Sequence, residues 1–191
     1  MSRAGRSDMR LTYDDFVLFP DDGKRHEIID GVQYVTPSPF LRHQVLVGRL
    51  HLALGNFLGS RPQLGRVFLS PLDVVLSYYD VVEPDLLFVA GDQLDILTEK
   101  NVRGAPALVI EVLSAGTRRR DAGVKRRLFE RTGVREYWMV DPRGEVVTVF
   151  CRAGAGDFTR IAVLTRERGD ALTSPLLPGF ALRLRELFVE D

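Results

Sequence analysis

Apolar positions along the chain fall into two rhythms, one of strands and one of helices. Over residues 41–58, Val45, Leu46, Leu50, Leu54, Phe57 and Leu58 recur at three and four residues, which predicts an amphipathic helix with His43 in its first turn. Thr12, three residues before Asp15, predicts a short capped helix ending at Pro20. The run KRHEIIDGVQYVTPS (24–38) predicts a hairpin turning at Asp30-Gly31. Runs at 66–69, 72–77 and 81–89 predict three adjacent antiparallel strands. Residues 91–105 are polar and irregular, with one helical turn around 92–97. Residues 107–113 are apolar throughout except for Glu111, the pattern of a central strand covered on both faces. A helix capped by Thr117 or Asp121 is predicted to run to Thr132 and stop at Gly133. Strands follow at 136–141 and 145–151 about the turn Asp141-Pro142-Arg143-Gly144, with edge strands at 158–165 and 179–184 and a hairpin tip at 154–156. The order predicts an α+β fold, a mixed β-sheet core flanked by helices.

Composition narrows the class. With 191 residues, 45% of them hydrophobic, residues 11–191 can enclose one substantial core and are expected to form a single domain. Residues 1–10, MSRAGRSDMR, read as a disordered tail. Twenty-six basic residues balance twenty-six acidic ones, so nucleic acid could be attracted only by a local patch and not by the net field. Cys151 is the single cysteine, which excludes an internal disulfide framework and a cysteine-rich zinc site and fits a reducing, cytoplasmic setting. No apolar run approaches the roughly 20 residues that cross a bilayer, and no secretory signal is recognisable.

Three charged residues change the picture. Glu111 stands inside an apolar strand, where a carboxylate costs several kcal/mol to desolvate unless it is paired, hydrogen-bonded or bound to metal. A buried ion pair with an arginine would satisfy it equally well. Asp85 follows Pro84 at the head of a second apolar run, and taken alone it reads as a strand-edge carboxylate. On neighbouring strands the two acids would lie about 5 Å apart, the spacing two ligands of one divalent ion require. Lys125 lies four residues after Asp121, the spacing of an ordinary surface pair, or it could reach back to the two acids. Between Arg118 and Arg131 seven basic residues, with Arg118, Arg119, Arg120 and Arg126 the candidate contacts, face only two acids. The stretch reads equally as a phosphate-binding patch and as a solvated helix face. Tyr137 and Trp138 read as core anchors.

The segments HEIIDG (26–31), SPFLRHQ (38–44), EPDLLFV (83–89), PALVIEVLS (106–114), DAGVK (121–125) and GVREYWMVD (133–141) resemble the Uma2 family over roughly residues 11–185. That family is itself similar to PD-(D/E)XK restriction-endonuclease-like nucleases. The resemblance implies a restriction-endonuclease-like sheet, with Asp85 and Glu111 as ligands of Mg²⁺, or of Mn²⁺. It also implies Glu27 as an additional catalytic acid and His43 as a site-lining residue. The position two after Glu111 is Leu113 where the wider pattern has lysine, and Lys125 is the family's substitute on the next helix. Ala115-Gly116 and Phe129 also depart from the family's usual residues, without touching the acids or the base.

The expected function is a Mg²⁺-dependent endonuclease acting on DNA. The alternative is an inactive nuclease fold serving as a nucleic-acid-binding or assembly module, and an RNA substrate is not separated from DNA by these residues. Cutting both strands of a duplex calls for a two-fold arrangement, so a homodimer is expected, with the apolar run 182–189 as a candidate interface.

Overall fold

The chain folds around two mixed β-sheets joined at the short link Glu83-Pro84-Asp85. The structure is a computed structural model that describes residues 10–36, 38–152, 154 and 156–189. The expected tail thus lies outside the described residues except for Arg10. That residue is docked: its guanidinium donates to the Asp30 carbonyl and covers the Tyr79 ring at 4.1 Å. Ala155 of the expected hairpin tip also lies outside the described residues.

Local signals give the expected elements at the N-terminus. Helix α1 (Tyr13–Phe16) is capped reciprocally, Thr12 Oγ1 accepting from the Asp15 amide and Asp15 Oδ2 from the Thr12 amide. Strands β1 (Arg25–Ile29) and β2 (Val32–Thr36) form the hairpin. Its turn residues Asp30 and Gly31 have φ of 53° and 75°, the left-handed pair that a two-residue turn demands. Helix α2 (Leu41–Gly59) buries Leu46, Leu50, Leu54 and Leu58 along one stripe.

The next segment departs from expectation. Strands β3 (Gly65–Leu69), β4 (Val74–Ser77), β5 (Asp80–Val82) and β6 (Leu86–Ala90) do not lie side by side in one sheet. β4 and β5 pair with each other, whereas β3 pairs with β6 in the second sheet. The single strand expected over 81–89 is two, broken at Glu83-Pro84-Asp85. Pro84 has no amide hydrogen to give to a ladder, and the chain leaves one sheet for the other there.

Strand β7 (Val102–Arg103), not expected, pairs parallel with β4 and completes a sheet of order β2-β1-β5-β4-β7. The second sheet adds β8 (Leu108–Val112), β9 (Glu136–Asp141), β10 (Val146–Arg152) and β11 (Phe158–Thr165), in the order β11-β10-β9-β8-β6-β3. As its apolar run implies, β8 is central: antiparallel to β6, parallel to β9 and buried at every position. Leu108, Ile110 and Val112 face α2, whereas Val109 packs with Leu87, Leu128, Phe129 and Tyr137 on the opposite face.

Between β8 and β9 lie α3 (Arg118–Arg120), a π-turn over Asp121–Lys125 and α4 (Arg126–Thr132), which Gly133 ends with φ 97°. At the C-terminus the predicted strand over 179–184 is extended only at β13 (Leu182–Arg183), paired with β12 (Ala171–Leu172), before α5 (Leu184–Leu187). Leu184, Leu187 and Phe188 are buried in this chain's own core, and Arg49 of α2 donates to the Leu187 and Val189 carbonyls. The run 182–189 is therefore spent on internal packing and does not offer the expected dimer surface. Among the described residues no helix is long and apolar enough to cross a membrane.

Candidate active site

Strand register brings the two expected acids together. Leu86 pairs with Ile110 and Leu87 with Val109, so Asp85 stands one step beyond the ladder, opposite Glu111. Both occupy the alternation that points Leu87 and Val109 away from α2, and so share a face. Asp85 is fixed tightly. Its Oδ2 accepts from the Val112 amide at 2.8 Å, and its Oδ1 meets Arg25 Nη1 at 2.8 Å and His43 Nε2 at 3.3 Å.

Lys125 points inward. It is 1% exposed, and its Nζ lies 2.5 Å from Glu111 Oε1 and 2.7 Å from Glu27 Oε1. The surface pair with Asp121 does not form, because Asp121 is itself buried. The π-turn explains how both reach the interior: the Arg126 amide donates back to the Asp121 carbonyl, a wider turn than an α-helix makes. The buried Tyr137 hydroxyl donates to that same carbonyl. Glu27, the additional acid implied by the resemblance, is fully buried on the hairpin's first strand and also accepts from the Glu83 amide.

These groups form the floor of an open cavity of about 790 Å³, whose lining includes Arg25, His43, Asp85, Glu111, Arg120 and Lys125. Of the four arginines proposed to contact nucleic acid, only Arg120 lines it. Its Nη2 donates to Thr36 Oγ1 at 2.7 Å and lies 3.6 Å from Glu27 Oε2. Arg118 pairs with Asp141, Arg119 is exposed, and Arg126 lies over the Phe150 ring at 5.5 Å. The expected patch is divided because a helix turns successive residues to different sides.

Several residues of the site escape a reading of the sequence. Arg25 is two residues before Glu27 on β1, and Glu83 two before Asp85, so period-two alternation carries each toward the same face. Asp121 was visible only as half of a helical surface pair. Together Glu27, Glu83, Asp85, Glu111 and Asp121 meet Arg25, Arg120 and Lys125, five acids against three fixed cations.

The imbalance appears in the protonation of the acids. Burial raises Glu111 well above the ordinary carboxyl range, with Asp85, Asp121 and Glu27 adding to the rise against Lys125. Burial likewise raises Glu83, to about 7, with help from Asp73. Burial would raise Asp85 too, yet His43 and Arg25 bring it down to about 2. Lys125 stays charged: burial opposes its ammonium, but Glu111, Glu27 and Asp121 outweigh that cost.

Glu27 Oε2 and Asp121 Oδ1 are buried without a hydrogen-bond partner. The surplus of acids over cations fits a hard divalent cation, with Asp85 and Glu111, which line the cavity, as the candidate ligands. Among the described residues no three of His, Cys, Asp and Glu enclose an ion by themselves.

Residues 13–185 match the model of the Uma2 family, described as "Putative restriction endonuclease". No curated protein matches the chain. Among solved structures it is similar to "a putative nuclease belonging to DUF820" from Anabaena variabilis, with a TM-score of 0.77 at 18% identity, over 93% of this chain and 97% of that one. At that identity the likeness speaks for the fold, a restriction-endonuclease-like mixed sheet flanked by helices.

Proposed function

We propose, because this chain belongs to the Uma2 family, that its cavity is the active site of an endonuclease that hydrolyses phosphodiester bonds of DNA with Mg²⁺, or Mn²⁺, as cofactor. One observation carries the reading: the Lys125 ammonium is buried between Glu27 and Glu111, among residues that line a cavity open to substrate. Asp85 and Glu111 would hold the ion, which when bound polarises the phosphoryl oxygens of the substrate. The Lys125 ammonium would orient the attacking water and stabilise the charge that develops on the phosphate. Glu27 fixes that ammonium in place, and His43 holds Asp85 from the α2 side. Arg120 from the cavity wall and Arg119 from the exposed helix surface would contact the phosphate backbone.

The purified protein is expected to cut DNA in the presence of Mg²⁺ or Mn²⁺, and Asp85→Ala to lose that activity. Equal rates for the two proteins on every DNA form would overturn the enzyme reading. A second reading keeps the fold for nucleic-acid binding or assembly alone. Calorimetry separates the two, since only the first requires cation binding that disappears in Glu111→Gln. Cutting both strands would use a homodimer, which light scattering on the purified protein would detect.

A further inference from the structure

The two oxygens of Asp85 are occupied unequally. Its Oδ2 accepts from the Val112 amide, whereas its Oδ1 is shared by Arg25 and His43. A cation that ligates Oδ1 must displace one of these two. His43 is held in the first turn of α2, a helix locked into the core by Leu46 and Leu50. Arg25 is different. Its side chain is long and 19% exposed, it lines the cavity, and beyond Asp85 it touches the Ser70 hydroxyl, 2.9 Å from Nη2, and more loosely Glu83 Oε2, 4.0 Å from Nε.

We infer that Arg25 is an exchangeable guard of the catalytic carboxylate: its guanidinium holds Asp85 until a divalent cation arrives, then moves within the cavity to grip the substrate's phosphodiester. The inference rests on the endonuclease reading and deepens it. A guanidinium is suited to both positions, because its planar fork matches a carboxylate and a phosphate equally and keeps its charge in either. The move also keeps charge in balance, since the incoming cation replaces the arginine at Asp85 while the arginine goes to the incoming anion. Cation and DNA then favour one another's binding through a single side chain, and that coupling is reciprocal.

The test measures Ca²⁺ affinity by calorimetry, with and without a DNA duplex, in the full-length protein, since Ca²⁺ commonly occupies Mg²⁺ sites without supporting turnover. Arg25→Gln is expected to bind Ca²⁺ at least about tenfold more tightly in the absence of DNA, and to bind the duplex more weakly in the presence of Ca²⁺. Ser70→Ala makes the sharper comparison because it removes no charge. Freeing the guanidinium from the Ser70 hydroxyl is expected to tighten Ca²⁺ binding by about tenfold or more, the value of one charge-assisted hydrogen bond, while the duplex is still bound. This second variant also keeps the test intact should Arg25→Gln fail to fold.

Unchanged Ca²⁺ affinity in Ser70→Ala would overturn the exchange, as would Arg25→Gln binding the duplex as tightly as the parent protein. If instead the parent protein binds no cation, or binds it equally after Asp85→Asn, the endonuclease reading itself falls and takes the exchange with it.

Discussion

Lys125 shows how much of the site depends on single charges. Its ammonium is out of water and held by Glu27 and Glu111, with Asp121 nearby, so removing it leaves acids unneutralised in a poorly solvated space. Lys125→Met is expected to lower stability by about 3–5 kcal/mol, read from the urea midpoint, and to lower cleavage at least about 100-fold. Glu83 sets the pH dependence. Its carboxyl is raised from 4.5 to about 7, so the fold disfavours its ionised form. That contribution to stability is whole below 4.5 and is lost as the pH rises through about 7. Urea titrations between pH 5 and 8 should show metal-free protein weakening toward the alkaline end, with a flatter profile in Glu83→Gln. Asp85 and Glu111 were legible in the sequence because a carboxylate beside or within an apolar run demands compensation. Arg25, Glu83 and Asp121 were not, since nothing in their own segments says which neighbour will cover them. Their burial is decided where the sheets and the helix close on one another.

At the scale of elements, the π-turn over Asp121–Lys125 divides the helix into two parts facing different ways. α4 is anchored to the core by Leu128 and Phe129, so Lys125 keeps its direction with it. α3 has no buried residue, and the extra residue of the wide turn aims its Arg120 at the cavity. Deleting Ala122 should restore ordinary α-geometry and rotate α3 by about 100° against α4. The expected result is unchanged far-UV circular dichroism with a loss of cleavage on the order of 100-fold, the penalty of misplaced binding groups. The helix itself was legible from its cap candidates and its glycine stop. The π-turn was not, because one inserted residue barely disturbs a periodic pattern. The expected strand over 81–89 failed for a related reason: apolar residues resume on both sides of Glu83-Pro84-Asp85, and Pro84 marks the place where the ladder must change partners.

Across the whole molecule, β1 of one sheet supplies Glu27, the second sheet supplies Glu111, and Asp85 sits on the link between them. A cation held at the junction should therefore stabilise the fold globally. At a concentration of 100 times Kd the gain is about 2.7 kcal/mol. For a chain of this length that corresponds to a rise in Tm of roughly 5–10 °C. Differential scanning fluorimetry with Mg²⁺ or Mn²⁺ should record the rise in the parent protein and not in Glu111→Gln. The α+β class and the central place of β8 were legible from periodicity alone. The division into two sheets was not, because strand pairing is settled between segments far apart in the sequence.

The crossover at Pro84 also bears on how the protein comes into being. Glu27 is made early and Lys125 about a hundred residues later, and β8 gains its parallel neighbour only once residues 136–141 have emerged. A nascent chain therefore carries every acid of the centre before it has a centre at all. The acids can gather into a centre only when both layers have shut.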